Sequence, residues 1–381
     1  MPWPDRLRAW VRRWRVPLGV VMLGLALLAR PFDHRARAAS LLVRFADADA
    51  RGWLASYGRY TLDESLVEVP TSWGVARGRL YRPVGAGEHA GVVLVHGVHR
   101  LGIDEPRLQR LARALASAGV TVLTPEVREI ADYRVDPASI ETIGGAVHDL
   151  HTKLGRPVGL IGTSFAGGLS LLTASEPRFA PDVRVVLAVG AQHDLRRVLR
   201  FFRTNEVPWP DGHVEKLTAH PYGPLVFLYA HIDQVCPPDE APVAADVMRL
   251  WLWDRRDEAR ARLKDLPAAS QARLEALLDG KGETAALLER LARDEAQTLA
   301  VSPTGHLGGL RADVFLLHGA GDNVIPAAET AWLAREIPAA RLRSAVITSA
   351  IEHVELRGQP SLGQQWELVS MLNGVLEAVR E

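Results

Sequence analysis

The sequence predicts an α/β fold, a mostly parallel doubly wound sheet with a helical insertion late in the chain. Three observations carry this. Short unbroken apolar runs, of which Gly91–Val95 is the clearest, read as strands buried on both faces of a sheet. Helical periodicities separate those runs, so the connections are crossovers and neighbouring strands run parallel. The alternation stops near Asp194 and resumes at Val314, and residues 195–308 carry helical patterns instead.

Taken in order, Leu66–Val69 and Ala76–Tyr81 alternate as half-buried strands around a turn at Pro70–Gly74. The buried run Gly91–Val95 follows, then a helix that brings Leu108, Leu111, Ala112 and Leu115 to one face. Val120–Leu123 is a strand, Ile140–Leu154 a helix and Val158–Ile161 a strand that runs into another helix; Val183–Val189 is the next strand. In the insertion, Ala245–Leu266 and Thr284–Leu299 are rich in the helix formers Ala, Leu, Arg and Glu, while Leu225–Tyr229 reads as a candidate strand. Beyond it, Ala327–Glu336 is a helix, Leu342–Thr348 a strand and Leu362–Val379 a closing helix. The chain therefore divides into an N-terminal basic and hydrophobic segment over 1–36 and a linker with a short helix over 37–64. A sheet domain over 65–194 and 309–381 follows, with a helical cap over 195–308.

Of the 381 residues, 48% are apolar, enough for a large core. The formal net charge is zero, from 45 basic and 45 acidic side chains, and this argues against a nucleic-acid partner. A single cysteine, Cys236, leaves no internal disulfide and no zinc spacing, and it reads as a small buried side chain rather than a nucleophile. At the N-terminus, Arg6, Arg8, Arg12, Arg13 and Arg15 precede the apolar run Val16–Ala29. At 1.5 Å per residue that run reaches about 21 Å, short of a bilayer core of about 30 Å. Three readings stay open: an uncleaved membrane anchor, a secretory signal cleaved near Ala36-Arg37-Ala38, and a helix packed on the protein. Arginines on both sides of the run leave its sidedness undetermined.

Ser164 sits in Gly162-Thr163-Ser164-Phe165-Ala166, between a buried strand and a helix. A nucleophile on so tight a turn is forced into strained backbone angles and projects its hydroxyl above the sheet. Small residues are needed two positions either side, and Gly162 and Ala166 supply them. The plainer alternative is a turn serine capping the helix.

The segment resembles the nucleophile elbow of the α/β-hydrolase superfamily, with Ala166 where glycine is usual, and the likeness covers roughly 65–193 and 310–381. The superfamily orders its triad nucleophile, acid, base. Asp322 follows Leu316-Leu317-His318-Gly319-Ala320-Gly321, which resembles the acid loop, and His353 lies just past the next strand, where the base is expected. Without the resemblance, Asp322 reads as a turn residue and His353 as a surface histidine. The chemistry requires all three: a serine hydroxyl is a poor nucleophile until an imidazole takes its proton, and a carboxylate holds that imidazole in the productive tautomer. His96-Gly97-Val98 resembles the oxyanion loop, which implies the backbone N–H groups of Val98 and Phe165 as donors to the developing negative charge.

Other candidates are weaker. His96 and His99 lack a third ligand for a metal, and Asp194, beside His193, is an alternative acid. His231 and Asp233 fall in the cap, and Trp251 and Trp253 read as packing residues. The resemblance implies a serine hydrolase that cleaves an ester-like acyl bond through an acyl-enzyme, acting on a small-molecule acyl substrate with no cofactor and no metal. The first two readings of the N-terminus imply membrane association through residues 16–29, or export. A peptidase or thioesterase on the same triad is the nearest alternative. From another class, a non-catalytic membrane-tethered binding protein is the rival.

Overall fold

The computed structural model describes residues 32–85, 90–352, 355–356 and 360–381. The apolar run 16–29 and His353 lie outside the described residues. Among the described residues no helix is long and apolar enough to cross a membrane.

Eight strands form the central sheet: β1 (Leu62–Thr71), β2 (Gly74–Pro83), β3 (Ala90–Val95), β4 (Val120–Pro125), β5 (Val158–Thr163), β6 (Val183–Val189), β9 (Asp313–Gly319) and β10 (Leu342–Thr348). Two short strands of the insertion, β7 (Glu206–Pro208) and β8 (Val214–Lys216), pair apart from it. So do β11 (Ile351–Glu352) and β12 (Glu355–Leu356). The order across the main sheet is β1-β2-β4-β3-β5-β6-β9-β10. β2 runs antiparallel to both of its neighbours, and every pairing from β4 through β10 is parallel.

The central strands are apolar because both faces are covered. All six residues of β3 are buried, and successive side chains go to opposite sides. Val93 and Val95 join one apolar cluster, Val92 and Leu94 the other. Helices Ala138–Leu154 and Phe165–Ser175 cover the first face, and Pro106–Ser117 and Leu362–Arg380 the second. A helix over 32–46 also packs on the second face, burying Ala38 and Leu41. Strand order reverses around β3, whose chain partner β4 lies on one side and β5 on the other. The carboxyl ends of strands at such a switch point leave a crevice, the usual place for a ligand in an open α/β sheet.

Several elements differ from expectation. The first turn is tighter than Pro70–Gly74, since β1 runs to Thr71 and β2 starts at Gly74. Leu225–Tyr229 is not a strand but part of the helix Tyr222–Ala230, whose residues from Gly223 to Tyr229 are buried. An apolar run buried all round carries no period that separates strand from helix. The long pattern Ala245–Leu266 breaks into Ala241–Leu252 and Arg256–Leu263, with Asp254 between them at φ +58°. Thr284–Leu299 likewise breaks at Asp294.

Candidate active site

β5 ends at Thr163 and a helix begins at Phe165, so Ser164 alone makes the corner. Its backbone lies at φ +57°, ψ −137°, a region that residues with a Cβ rarely occupy. The corner is held from both sides: Ser164 N–H donates to Val189 O at 2.7 Å, and Gly167 N–H donates to Ser164 O at 2.8 Å. Gly162 must be glycine, because a Cβ there would meet the Ala166 carbonyl oxygen at 2.4 Å. Only 5% of Ser164 is exposed, yet it lines a cavity of about 370 Å³. The Phe165 N–H is among the first of its helix, at the end where such groups lack partners within the helix and the dipole is positive.

A parallel sheet that reverses order at β3, with one antiparallel strand near its edge and a strained serine where β5 meets its helix, is a specific combination. This is the α/β-hydrolase fold.

Solved structures with a similar fold include an esterase from Pyrobaculum calidifontis, 16% identical, with 95% of this chain and 98% of that one covered at a TM-score of 0.49. An esterase domain from a Rhodothermus marinus protein is 16% identical, covering 84% and 99%, at 0.46. An acylaminoacyl peptidase from Pyrococcus horikoshii is 12% identical at 0.47, with 77% of this chain aligned to 38% of the peptidase. No protein-family model matches the sequence, and no curated protein does. The assignment of the α/β-hydrolase fold rests on the strand order and the corner at Ser164, not on these likenesses.

In this fold the loop after β3 meets the corner after β5. A Cβ on Gly97 would lie 3.7 Å from the Ser164 Cβ, and Val98 shares the cavity wall with Ser164. His96 sets the conformation of that loop. Val127 N–H donates to His96 Nε2 at 3.1 Å, so Nδ1 carries the proton and donates to Gly97 O at 2.9 Å. Burial lowers the His96 pKa and keeps the ring neutral. The C=O and N–H of a trans peptide point opposite ways, so tying Gly97 O to the ring turns the Val98 N–H away from it. Tyr222 Oη donates to Val98 O at 3.0 Å, fixing the next carbonyl too.

Asp322 follows β9 and is buried. Its Oδ1 accepts from Val324 N at 2.9 Å and Ile325 N at 3.0 Å, and its Oδ2 lies 3.5 Å from His318 Nε2. His318 is itself buried, donating from Nε2 to Ile325 O at 2.8 Å, with Nδ1 2.7 Å from Thr330 Oγ1. Val324, on the same loop, lines the cavity at Ser164, and His220 N–H of the insertion donates to Asn323 O at 2.8 Å. The structure thus brings Ser164, Val98 and the Asp322 loop to one cavity, while His353 falls between β11 and β12 outside the described residues.

Other candidates are occupied elsewhere. Asp194 caps the helix Leu195–Thr204, accepting from Arg196 N, and pairs with the Arg196 guanidinium. His193 is enclosed by Glu336 and Arg197. His231 bonds Phe227 O of its own helix, and burial pushes the Cys236 thiol up, away from the thiolate a nucleophile needs. Among the described residues no three His, Cys, Asp or Glu side chains group as a metal site. Trp251 and Trp253 pack against the apolar core as expected, and Trp253 also stands in the wall of the Ser164 cavity, where the Arg100 guanidinium lies 5.7 Å from the centre of its ring. His96 and His318, both part of the runs that resemble the oxyanion and acid loops, hold those loops in place, a role the sequence does not announce. The one available signal was a histidine directly following an apolar strand run in each case.

Proposed function

We propose that this chain is a serine hydrolase that cleaves an ester-like acyl bond. The observation that carries the reading is the strained corner holding Ser164 at a helix N-terminus, inside the cavity wall that Val98 also lines. Ser164 Oγ attacks the carbonyl carbon while its proton passes to His353, and the oxyanion is received by the N–H groups of Val98 and Phe165. Collapse breaks the bond to the leaving alkoxide, which takes the proton from the imidazolium and departs as the alcohol. Water then attacks the acyl-enzyme, giving its proton to His353, and the acid is released as Ser164 recovers that proton. Asp322 holds the imidazole in its working tautomer.

A fluorophosphonate probe followed by peptide mass spectrometry tests this. Wild type should carry the label on Ser164, and Ser164→Ala should carry none. Undiminished labelling of Ser164→Ala would overturn the assignment.

A further inference from the structure

The cavity at Ser164 has an apolar neighbour. A second cavity of about 90 Å³ adjoins it, and Phe45, Leu111 and Thr163 belong to the walls of both. Its other walls are aliphatic, including Leu41 and Leu42 of the helix over 32–46, Val189 and Leu317 of the sheet, and Leu368 and Leu372 of the last helix. Two of its wall residues adjoin the reacting groups along the chain: Thr163 precedes Ser164, and Ile351 stands two before His353. Well-packed interiors leave few voids larger than a water molecule, so an apolar space sharing walls with the cavity at Ser164 is room for a ligand.

We infer that this space is a tunnel for an unbranched aliphatic acyl chain, which passes Phe45 and lies beneath the helix over 32–46. The inference rests on Ser164 being the nucleophile. Among the described residues no charged side chain lines the tunnel. An apolar cavity stays dry, so an alkyl chain fills it without displacing ordered water, whereas a polar chain would lose its hydration and find no partner. At about 30 Å³ per water-sized group, the space takes about three methylene-sized groups beyond those that lie in the cavity at Ser164. The substrate class is therefore an ester of a medium-length straight-chain acid. The helix over 32–46, which precedes the sheet domain, forms the roof and so takes part in setting chain length.

The test is a series of p-nitrophenyl esters from acetate to dodecanoate on the full chain, read as ratios of kcat/KM. Wild type should favour a medium chain over acetate. Leu42→Trp, which brings an indole into the tunnel, should lower the octanoate-to-acetate ratio by roughly tenfold or more. Phe45→Ala, which removes the side chain between the two cavities, should move the optimum to longer chains. A merely destabilised protein would lose activity on all esters together and shift no optimum. A second measurement needs no turnover: octanoic acid should raise the melting temperature of Ser164→Ala and not that of Ser164→Ala combined with Leu42→Trp. Ester turnover with the same chain-length profile in all three proteins, and no stabilisation by octanoic acid, overturns the tunnel alone. Stabilisation by octanoic acid without turnover of any ester overturns the hydrolase reading and leaves the tunnel standing.

Discussion

Glycine and alanine at position 164 separate the hydroxyl's role from the backbone's. Both substitutions remove Oγ, so neither protein should hydrolyse an ester or take up a fluorophosphonate. Only alanine keeps a Cβ at φ +57°, ψ −137°. Holding a residue with a Cβ in such a region costs about 1–3 kcal/mol. Glycine escapes that cost but gives up about 0.4–1 kcal/mol through its freer unfolded chain. The net expectation is that Ser164→Gly is more stable than Ser164→Ala by roughly 1–2 kcal/mol. With an unfolding entropy of about 2.1 cal/mol/K per residue over 381 residues, the melting temperature should rise by roughly 1–2 °C. Urea unfolding is the better assay, since a shift in midpoint at constant slope reads stability directly. Equal midpoints, or a more stable alanine variant, would show that the corner stores no strain and would remove the main physical argument for Ser164.

Asp322→Asn keeps an oxygen for the Val324 and Ile325 N–H groups but loses the charge, so stability should change little while kcat falls by about 10³–10⁴. Asp322→Ala leaves those two buried donors without their acceptor and should cost roughly 2–4 kcal/mol as well, seen as a lower urea midpoint; Asp322→Asn matching it in stability would contradict the bonding described. The His96 ring, whose pKa burial lowers from 6.5, takes up a proton more readily in the unfolded chain than in the folded one. Stability should therefore fall as pH drops from about 6.5, and His96→Asn should flatten that slope by up to about one proton; an unchanged slope argues against a neutral His96. Full-length protein should sediment with membranes through residues 16–29, and a chain starting near Arg37 should not. Recovery of the intact full-length chain in the supernatant would count against an anchor.

What could be read in the sequence followed from how local each signal is. Gly91–Val95 and Val183–Val189 announce buried strands because burial on two faces demands unbroken apolar side chains, whatever else the fold does. Ser164 was legible for a related reason: a glycine two residues before it and a helix just after it are both consequences of one tight corner. Tyr222–Ala230 was misread because total burial erases the helical period. The kink at Asp254 depends on tertiary packing that no local pattern records. The histidines fail for reasons of distance. His96 acts by accepting from Val127, 31 residues away, and His318 by bonding across a loop to Ile325 and Thr330. Neither partnership leaves a mark on the neighbouring sequence.

The insertion reaches the two loops beside Ser164 through its own hydrogen bonds: Tyr222 Oη holds the Val98 carbonyl, and the His220 N–H holds the Asn323 carbonyl. The segment that walls the cavity at Ser164 is therefore also a strut between the two loops flanking that serine. A protein built this way is a poor acceptor for grafted segments. Transplanting a foreign insertion to change selectivity would cut both ties at once, leaving the Gly97–Val98 peptide and the Asp322 loop to find new support. Directed changes within the native segment that leave Tyr222 and the His220 backbone in place are the route by which selectivity and rate can be altered separately.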